Sequence, residues 1–321
     1  MSAGALLCGL WGLCVLGGVA RADDLEGDVV YLPMPAGETL TVDNRLGTLR
    51  LRGWDEPQVR IVATKRARES GMLDRLKVRV DLQGGKLAIT AGVYFSDGWR
   101  PVPLAGAGID LTIDAPRSMA VRASTFNGFI DTAGFHAGAH LESQQGEIRA
   151  ADIRGPVDTR SLEGRQLLQG IHGPLDANGI EGDLDLESID GATLGATVFK
   201  GQITAREVRS PVVRLRTTVG SIIFVGALMR GGHYDLDTID GDVRLVLRPT
   251  PFRLVARAPM GKIASGFTLV QVRGKSGPSG LGSSDAAGSP GLGQLEGEFQ
   301  GGGALLELVS AKGSISLTAG K

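Results

Sequence analysis

The feature that most constrains the fold is a glycine that returns at nearly equal intervals through the middle of the chain. The first copy of the motif is Thr125-Phe126-Asn127-Gly128-Phe129-Ile130: a small polar residue, two variable residues, the glycine, one further residue and an aliphatic. The glycines are Gly128, Gly146, Gly164, Gly182, Gly201, Gly220, Gly241 and Gly261, with spacings of 18, 18, 18, 19, 19, 21 and 20 residues. Such self-similarity is typical of a repeat protein.

Apolar residues alternate after each of these glycines. The second residue after the glycine is Ile130, Ile148, Gln166, Leu184, Ile203, Ile222, Val243 or Ile263, so that Gln166 breaks an aliphatic column. The fourth residue is Thr132, Ala150, Leu168, Leu186, Ala205, Phe224 or Leu245. This period of two indicates β-strands with one buried face.

A second arm follows in each unit. Gly155, Gly173 and Gly191, with Ser210 in the equivalent place, divide the units into two nearly equal parts. The seventh position after the first glycine reads Phe135, Ile153, Ile171, Ile189 and Val208, and the eleventh reads Val157, Leu175, Thr193 and Val212. We predict that both arms point these side chains into one core.

Units of 18 to 20 residues cannot close a core individually, but stacked coils bury one continuous apolar column. The sequence therefore predicts an all-β protein, a β-solenoid whose path is right-handed by the general preference of parallel crossovers. Glycine at a fixed position is expected to supply positive φ at a sharp corner. Residues 39–114 read instead as ordinary alternating strands, including a hairpin turn at Gln83-Gly84-Gly85, and are predicted to cap one end of the column.

The N-terminus has the pattern of an export signal. Residues 3–20 are uncharged and apolar, and Ala20-Arg21-Ala22 fits the small-x-small rule for cleavage, which makes Asp23 the mature N-terminus. Cys8 and Cys14 both lie in this segment, so the mature chain is expected to have no thiol. We expect an exported protein of the periplasm or cell surface, with no stable membrane span after cleavage.

The predicted organisation has five parts. They are a signal peptide (1–22), an N-terminal β cap region (23–117), the β-solenoid coils (118–272), a Gly/Ser/Pro-rich flexible loop (273–293), and a terminal strand and coil (294–321).

The layout resembles the bacterial putative-adhesin domain family of exported β-strand repeat proteins. The resemblance is carried by the order of three landmarks: the Gly-Trp-Asp region within residues 42–61, an aliphatic strand ending in Ala115-Pro116 before Gly128, and a late strand followed by Met260-Gly261-Lys262-Ile263. It covers nearly the whole mature chain and implies no catalytic residues.

Charge and histidine patterns exclude several functions. Thirty-four basic and 35 acidic residues give a net charge of -1, so we expect no nucleic-acid partner. His136 and His140 are four residues apart but lack the glutamate of a zinc helix, and His172 and His233 stand alone. We predict no metal-ligating or cofactor-binding residue and no cofactor.

The carboxylates leave an alternative open. Asp183, Asp185 and Glu187 are predicted to project outward from one strand, and Asp235 and Asp237 from another. A polysaccharide-acting enzyme could use such clusters. However, Glu147, Arg165 and Asp183 occupy equivalent positions with alternating sign, which is how adjacent strands avoid like-charge repulsion.

We therefore predict no catalytic residue and a non-enzymatic, adhesin-like protein of the cell envelope. Its repetitive face would bind or scaffold an envelope protein or polysaccharide. The alternatives are the polysaccharide-acting enzyme and a self-assembling rod similar to bactofilin filaments, which the N-terminal cap disfavours.

Overall fold

The structure is a computed structural model that describes residues 20–23, 29–34, 38–95, 98–100, 106–271 and 291–320. It contains a four-residue helix, α1 (Ser70–Leu73), and otherwise strands. The strands are β1 (Ala20–Asp23), β2 (Val29–Pro33), β3 (Thr39–Leu46), β4 (Leu49–Trp54), β5 (Gln58–Arg66), β6 (Leu76–Gln83), β7 (Lys86–Phe95), β8 (Gly98–Arg100), β9 (Gly108–Pro116), β10 (Ala120–Asn127), β11 (Ile130–Ala133), β12 (Ala139–Gln145), β13 (Ile148–Arg154), β14 (Val157–Glu163), β15 (Gln166–His172), β16 (Leu175–Glu181), β17 (Leu184–Asp190), β18 (Thr193–Lys200), β19 (Ile203–Arg206), β20 (Val212–Val219), β21 (Ile222–Gly226), β22 (His233–Asp240), β23 (Val243–Leu247), β24 (Phe252–Ser265), β25 (Gly291–Phe299), β26 (Ala304–Ser310) and β27 (Ile315–Ala319).

Two predicted segments lie largely outside the described residues: the signal peptide, apart from positions 20–22, and the flexible loop, apart from positions 291–293. Strand β1 spans the predicted cleavage position and pairs antiparallel with β6. Signal cleavage itself stays a prediction. The described residues contain no helix with the length and apolar character that a bilayer crossing requires.

Each coil in the middle of the chain contributes one strand to each of two parallel sheets. The first sheet contains β10, β12, β14, β16, β18, β20 and β22, and the second contains β11, β13, β15, β17, β19, β21 and β23. Equivalent residues pair from coil to coil, as Leu184 does with Ile203. The predicted all-β solenoid is therefore confirmed, whereas its right-handed path stays a prediction.

The two sheets face each other across one core. The rings of Phe224 in the second sheet and Tyr234 in the first meet edge to face, with centroids 5.6 Å apart. The column that begins at Ile130 is buried throughout, including Gln166. Aromatic contact and continuous burial show that the coils share their interior rather than forming separate cores.

The prediction for the second arm was wrong at two positions. Thr193 is exposed and Val212 is half-buried, while their neighbours Leu194 and Val213 are buried. Leu175 pairs with Leu194, not with Thr193. The units of 19 residues carry one extra residue before this strand, which shifts the inward positions by one.

The repeated glycines are required chiefly by close backbone approach. A Cβ atom on Gly182 would lie 2.2 Å from the carbonyl oxygen of Gly164, and one on Gly128 would lie 1.9 Å from that of Gly47. Gly182 has a φ of +135°, as the predicted corner requires, but Gly128 lies outside the left-handed region. Stacking of the corners thus excludes side chains even where φ does not.

The small polar residue three positions before the glycine also has a structural reason. Ser143 Oγ donates to the carbonyl oxygen of Gly146 at 3.2 Å, and the Thr238 hydroxyl donates to that of Gly220 at 2.9 Å. Both side chains are buried. The hydroxyls therefore satisfy corner carbonyls that would otherwise lack a partner in the core.

At the C-terminal end, the order of the coils differs from their order in the chain. Strand β26 pairs parallel with both β22 and β24, and β27 pairs parallel with both β23 and β24. Gly313 therefore lies between Gly241 and Gly261 in the glycine column. The repeat pattern placed Gly261 directly after Gly241, and the structure corrects that order. The last coil in sequence, β26 and β27, lies between the coil of β22 and β23 and strand β24.

The N-terminal end has a similar arrangement. The pair β3 and β4 stacks in parallel register on β10 and β11, and is covered in turn by β7 and β9. Beyond these, β6 pairs antiparallel with β7, and β5 with β9. Parallel stacking thus continues into the predicted cap region. The antiparallel strands β5 and β6 lie at the outer end of this parallel stack. The exact boundary at residues 117 and 118 stays a prediction.

Candidate binding face

The outward side of the first sheet carries four charged or titratable residues that contact one another. His140 Nε2 lies 2.9 Å from Glu142 Oε1, and Arg160 lies 3.3 Å from carboxylate oxygens of both Glu142 and Asp158. His140 Nδ1 is 3.6 Å from Asp158. Strands β12 and β14 hold these residues at paired positions, His140 beside Asp158 and Glu142 beside Arg160, so the acidic side chains lie next to potential hydrogen-bond donors.

Beside this polar group runs a column of exposed apolar side chains, which we call the apolar ladder: Leu162, Ile180 and Phe199. They occupy equivalent positions two residues before successive glycines, and their exposed fractions are 46%, 49% and 56%. Apolar side chains scattered singly on a surface need no explanation, but a contiguous set marks an interaction surface.

A shallow depression of about 480 Å³ lies next to the ladder. Its lining includes Leu162 and Ile180 together with Glu142, Arg160 and Gly179. Gly179 is at an inward position of its strand, where a Cβ would point into the core, 3.1 Å from Val198 and 3.5 Å from Gln166 Nε2. The lining of the depression thus contains both apolar and charged groups. We call the apolar ladder, the polar group and this depression together the binding face.

The acidic residues predicted on one strand lie on the opposite side of the molecule. Asp185 and Glu187 belong to β17 in the second sheet, and Asp183 directly precedes that strand. Asp185 forms an ion pair with Arg165 at 2.6 Å, and this carboxylate raises the pKa of Arg165. Asp183 accepts a hydrogen bond from the backbone N–H of Gln202 at 2.8 Å. Asp183 and Asp185 thus have partners on neighbouring coils.

Asp235 and Asp237 lie on β22 in the first sheet. Arg216 forms an ion pair with Asp235 at 2.8 Å. Burial, together with the charge of Asp235, raises the pKa of Asp237. The structure therefore separates the two acidic groups onto opposite faces and does not bring them together.

The histidines are also dispersed. His140 belongs to the polar group described above, and His233 Nε2 lies 2.9 Å from Glu307. His136 lies at a bend before β12, whereas His140 lies within that strand. Across the ranges that the structure describes, no group of three His, Cys, Asp or Glu side chains is placed to hold a metal ion.

Sequence reasoning missed the apolar ladder. Its residues occupy one of the two positions of the motif that were treated as variable. The detectable pattern was the run Leu162, Ile180 and Phe199 at that position in three successive units. Strand alternation before the glycine would have placed all three on the outward side.

Comparison with known proteins gives little further information. No protein-family model matches the chain, and no curated protein matches it significantly. Among solved structures, the chain is weakly similar to a "putative cell adhesion protein" from Clostridium sporogenes ATCC 15579, with 10% identity, a TM-score of 0.22, and coverage of 94% of this chain and 100% of that chain. A similarity at this level carries no argument about function, and membership of the adhesin-domain family stays a prediction.

Proposed function

We propose that this chain is an exported, non-enzymatic β-solenoid protein of the cell envelope that acts as an adhesin-like binding module. The proposal includes membership of the family that its sequence resembles. Binding occurs through the outward side of the first sheet, where the apolar ladder borders the polar group and the depression.

The apolar ladder is the observation that carries this proposal. Three large apolar side chains remain about half exposed on successive coils, although the alternate residues of the same strands are buried, apart from the half-buried Gly179. A contiguous set of exposed apolar side chains lowers the solubility of a protein. Such a set is therefore expected where a binding partner covers these side chains. The surrounding charged residues provide the polar rim that is typical of interfaces.

The alternative, a polysaccharide-acting enzyme, would require a catalytic group confined to one place. The two predicted acidic groups lie on opposite faces, so one substrate segment could not contact both. The charged side chains are distributed over several coils, and most of those described above are ion-paired. This distribution favours a binding function over catalysis at a single site.

The test is adhesion of beads that carry the purified protein to intact bacterial cells and to isolated envelope polysaccharide. The test variant replaces Leu162, Ile180 and Phe199 with serine. The matched control replaces three outward residues of the second sheet, Asp183, Asp185 and Glu187, with serine. We expect the ladder variant to lose most adhesion and the control to retain it.

Equal loss in both variants, or none in either, would contradict the assignment of this face. The same preparations are incubated with envelope polysaccharides, and chain length is followed over time. Depolymerisation that is abolished in the Asp183, Asp185 and Glu187 variant would support the enzyme instead.

A further inference from the structure

The coil formed by β26 and β27, here called the C-terminal coil, reaches its place through one short turn. Chain order would put β24 directly on β22 and β23, but the C-terminal coil fills that slot and pairs with strands on both sides. The turn, residues 300–303, connects β26 to β25, which pairs antiparallel with β24. Within the described chain, the C-terminal coil is therefore joined to the column through this turn alone.

The turn has an unfavourable backbone conformation. Gln300, Gly301 and Gly302 have positive φ, at +51°, +78° and +78°. The Gly302 N–H donates to the Phe299 carbonyl oxygen at 3.3 Å. A turn with positive φ at both central residues favours Asn or Gly, and glutamine is strained there because its Cβ crowds the following carbonyl oxygen. An extended form of residues 300–303 would remove this strain.

The chain is firmly packed on both sides of the turn. Phe299 contacts Phe252 and Phe267, with ring centroids 5.4 Å and 5.0 Å apart. On the other side, Ala304 begins β26 and is buried. Opening of the chain would therefore be confined to residues 300–303, which form a hinge between two rigid parts.

The C-terminal coil is too apolar to remain outside a slot. Leu306, Leu308, Ile315 and Leu317 are all buried, with exposed fractions of 0%, 0%, 0% and 1%. Their exposure to water would be unfavourable. A C-terminal coil that leaves its own slot therefore needs another slot that fits it.

Polar contacts make this fit specific. Ser310 Oγ donates to the Gly241 carbonyl oxygen at 2.7 Å, and the Ser314 N–H donates to Asp242 Oδ1 at 2.9 Å. A C-terminal coil from a second copy of the chain would remake these bonds and the same strand pairing. The slot of a second copy is thus the place that matches the coil in both shape and hydrogen bonding.

We infer that two copies of this chain exchange their C-terminal coils by domain swapping, so that each coil fills the slot of the other copy. The exchanged dimer remakes the contacts between coil and slot and relieves the strain at Gln300 in both copies. A short hinge under strain favours such exchange. The inference goes beyond the proposed function, because the binding face lies on other coils. The dimer presents two binding faces, which would strengthen adhesion through avidity.

Mixed refolding of two single-cysteine full-length variants tests the inference. Both carry Cys8→Ser and Cys14→Ser. One also carries Arg244→Cys and the other Ser316→Cys, at positions that pair between β23 and β27. With one cysteine in each chain, a crosslink can form only between two copies. After the variants are unfolded together in urea and refolded, a short bifunctional thiol reagent should join them in a yield that rises with protein concentration.

The matched control mixes Arg244→Cys with Leu167→Cys. Leu167 lies on β15, four coils away from β23 in the same sheet. This pair should give little crosslinked product at any concentration. The absence of a product from Arg244→Cys with Ser316→Cys, or an equal yield from the control pair, would overturn the inference.

Substitutions at the exposed Gln300 give a second measurement. Gln300→Gly removes the strain in the closed turn and should reduce the yield of the exchanged dimer about tenfold. Gln300→Val introduces a β-branched residue that disfavours positive φ, and it should raise the yield. Sedimentation velocity after refolding measures the dimer content, and equal contents in the two variants would contradict exchange through this hinge.

The ladder variant separates this inference from the proposed function. With Leu162, Ile180 and Phe199 replaced by serine, the C-terminal coil, its slot and its hinge are unchanged. This variant should therefore exchange its coil as wild type does while it loses adhesion. Loss of exchange in the ladder variant would contradict the assignment of the dimer contact to the C-terminal coil.

Discussion

The hydroxyl of Thr159 donates a hydrogen bond to Oε1 of Gln166 at 2.5 Å, and both side chains are fully buried between the two sheets. Gln166 Nε2 in turn donates to the carbonyl oxygen of Asn178 at 2.8 Å. The glutamine that interrupts the aliphatic column therefore has partners for both ends of its amide. It links strands of the two sheets inside the core.

Removal of the Thr159 hydroxyl should destabilise the protein. In Thr159→Val, Gln166 Oε1 loses its donor while it remains buried, which should lower the free energy of unfolding by about 1–3 kcal/mol. Adding Gln166→Leu removes the unsatisfied amide and should recover most of the loss. Urea unfolding of the two variants measures this, and strictly additive losses would contradict the coupling.

Introducing a charge into the aliphatic column should unfold several coils together. Leu184 is buried between Gln166 and Ile203, so Leu184→Asp should cost about 4 kcal/mol or more. Glu187→Ala on the outward side of the same strand is the matched control and should change stability by less than about 0.5 kcal/mol. Melting followed by circular dichroism would reveal the difference, and similar melting of both variants would refute this burial register.

A methyl group in the glycine column should be poorly tolerated. The Cβ of Gly182→Ala would lie 2.2 Å from the Gly164 carbonyl oxygen, and the backbone must shift to admit it. We expect a loss of about 2 kcal/mol or more. Gly71→Ala, where a Cβ would meet nothing within 4 Å, should be neutral or slightly stabilising. Equal thermal stability of the two variants would show that the corners do not stack this closely.

The last coil in sequence should behave as an interior coil. Since β26 is paired on both sides, by β22 and β24, its amide hydrogens should exchange as slowly as those of β16. A strand at the free end of a column would exchange faster. Hydrogen exchange followed by mass spectrometry distinguishes the two cases, and rapid exchange across β26 would contradict the inserted order.

Acid should weaken the attachment of this inserted coil. Asp242 accepts a hydrogen bond from the Ser314 backbone N–H at 2.9 Å and another from Arg244, and these bonds lower the pKa of Asp242 below its ordinary value of 3.8. The lowered pKa means that the stabilisation is present above the unfolded-state pKa and is lost as pH falls through the folded-state value.

Asp242→Asn should therefore be less stable than wild type at pH 7, and the difference should shrink below about pH 4. Melting temperatures measured from pH 7 to pH 3 test this. A difference that persists unchanged at pH 3 would exclude ionisation of Asp242 as its cause.

The sequence by itself determined the repeated coil. Period-two alternation fixes which side chains point inward, and glycine at a constant position fixes where each coil turns, because both depend on residues close together in the chain. These local rules predicted the burial of Ile148, Leu184 and Ile203. They failed at Thr193 and Val212, where one additional residue in the loop changed the register.

Only the tertiary structure decided which coils are neighbours at the two ends and which outward residues share a face. The motif around Gly261 and the motif around Gly313 fit the column equally well by local pattern, so their order depends on pairing between strands far apart in sequence. The apolar ladder likewise becomes a surface only when Leu162, Ile180 and Phe199 are aligned by stacking. Local periodicity specifies a coil, but strand pairing across the whole chain specifies the column and the face it presents.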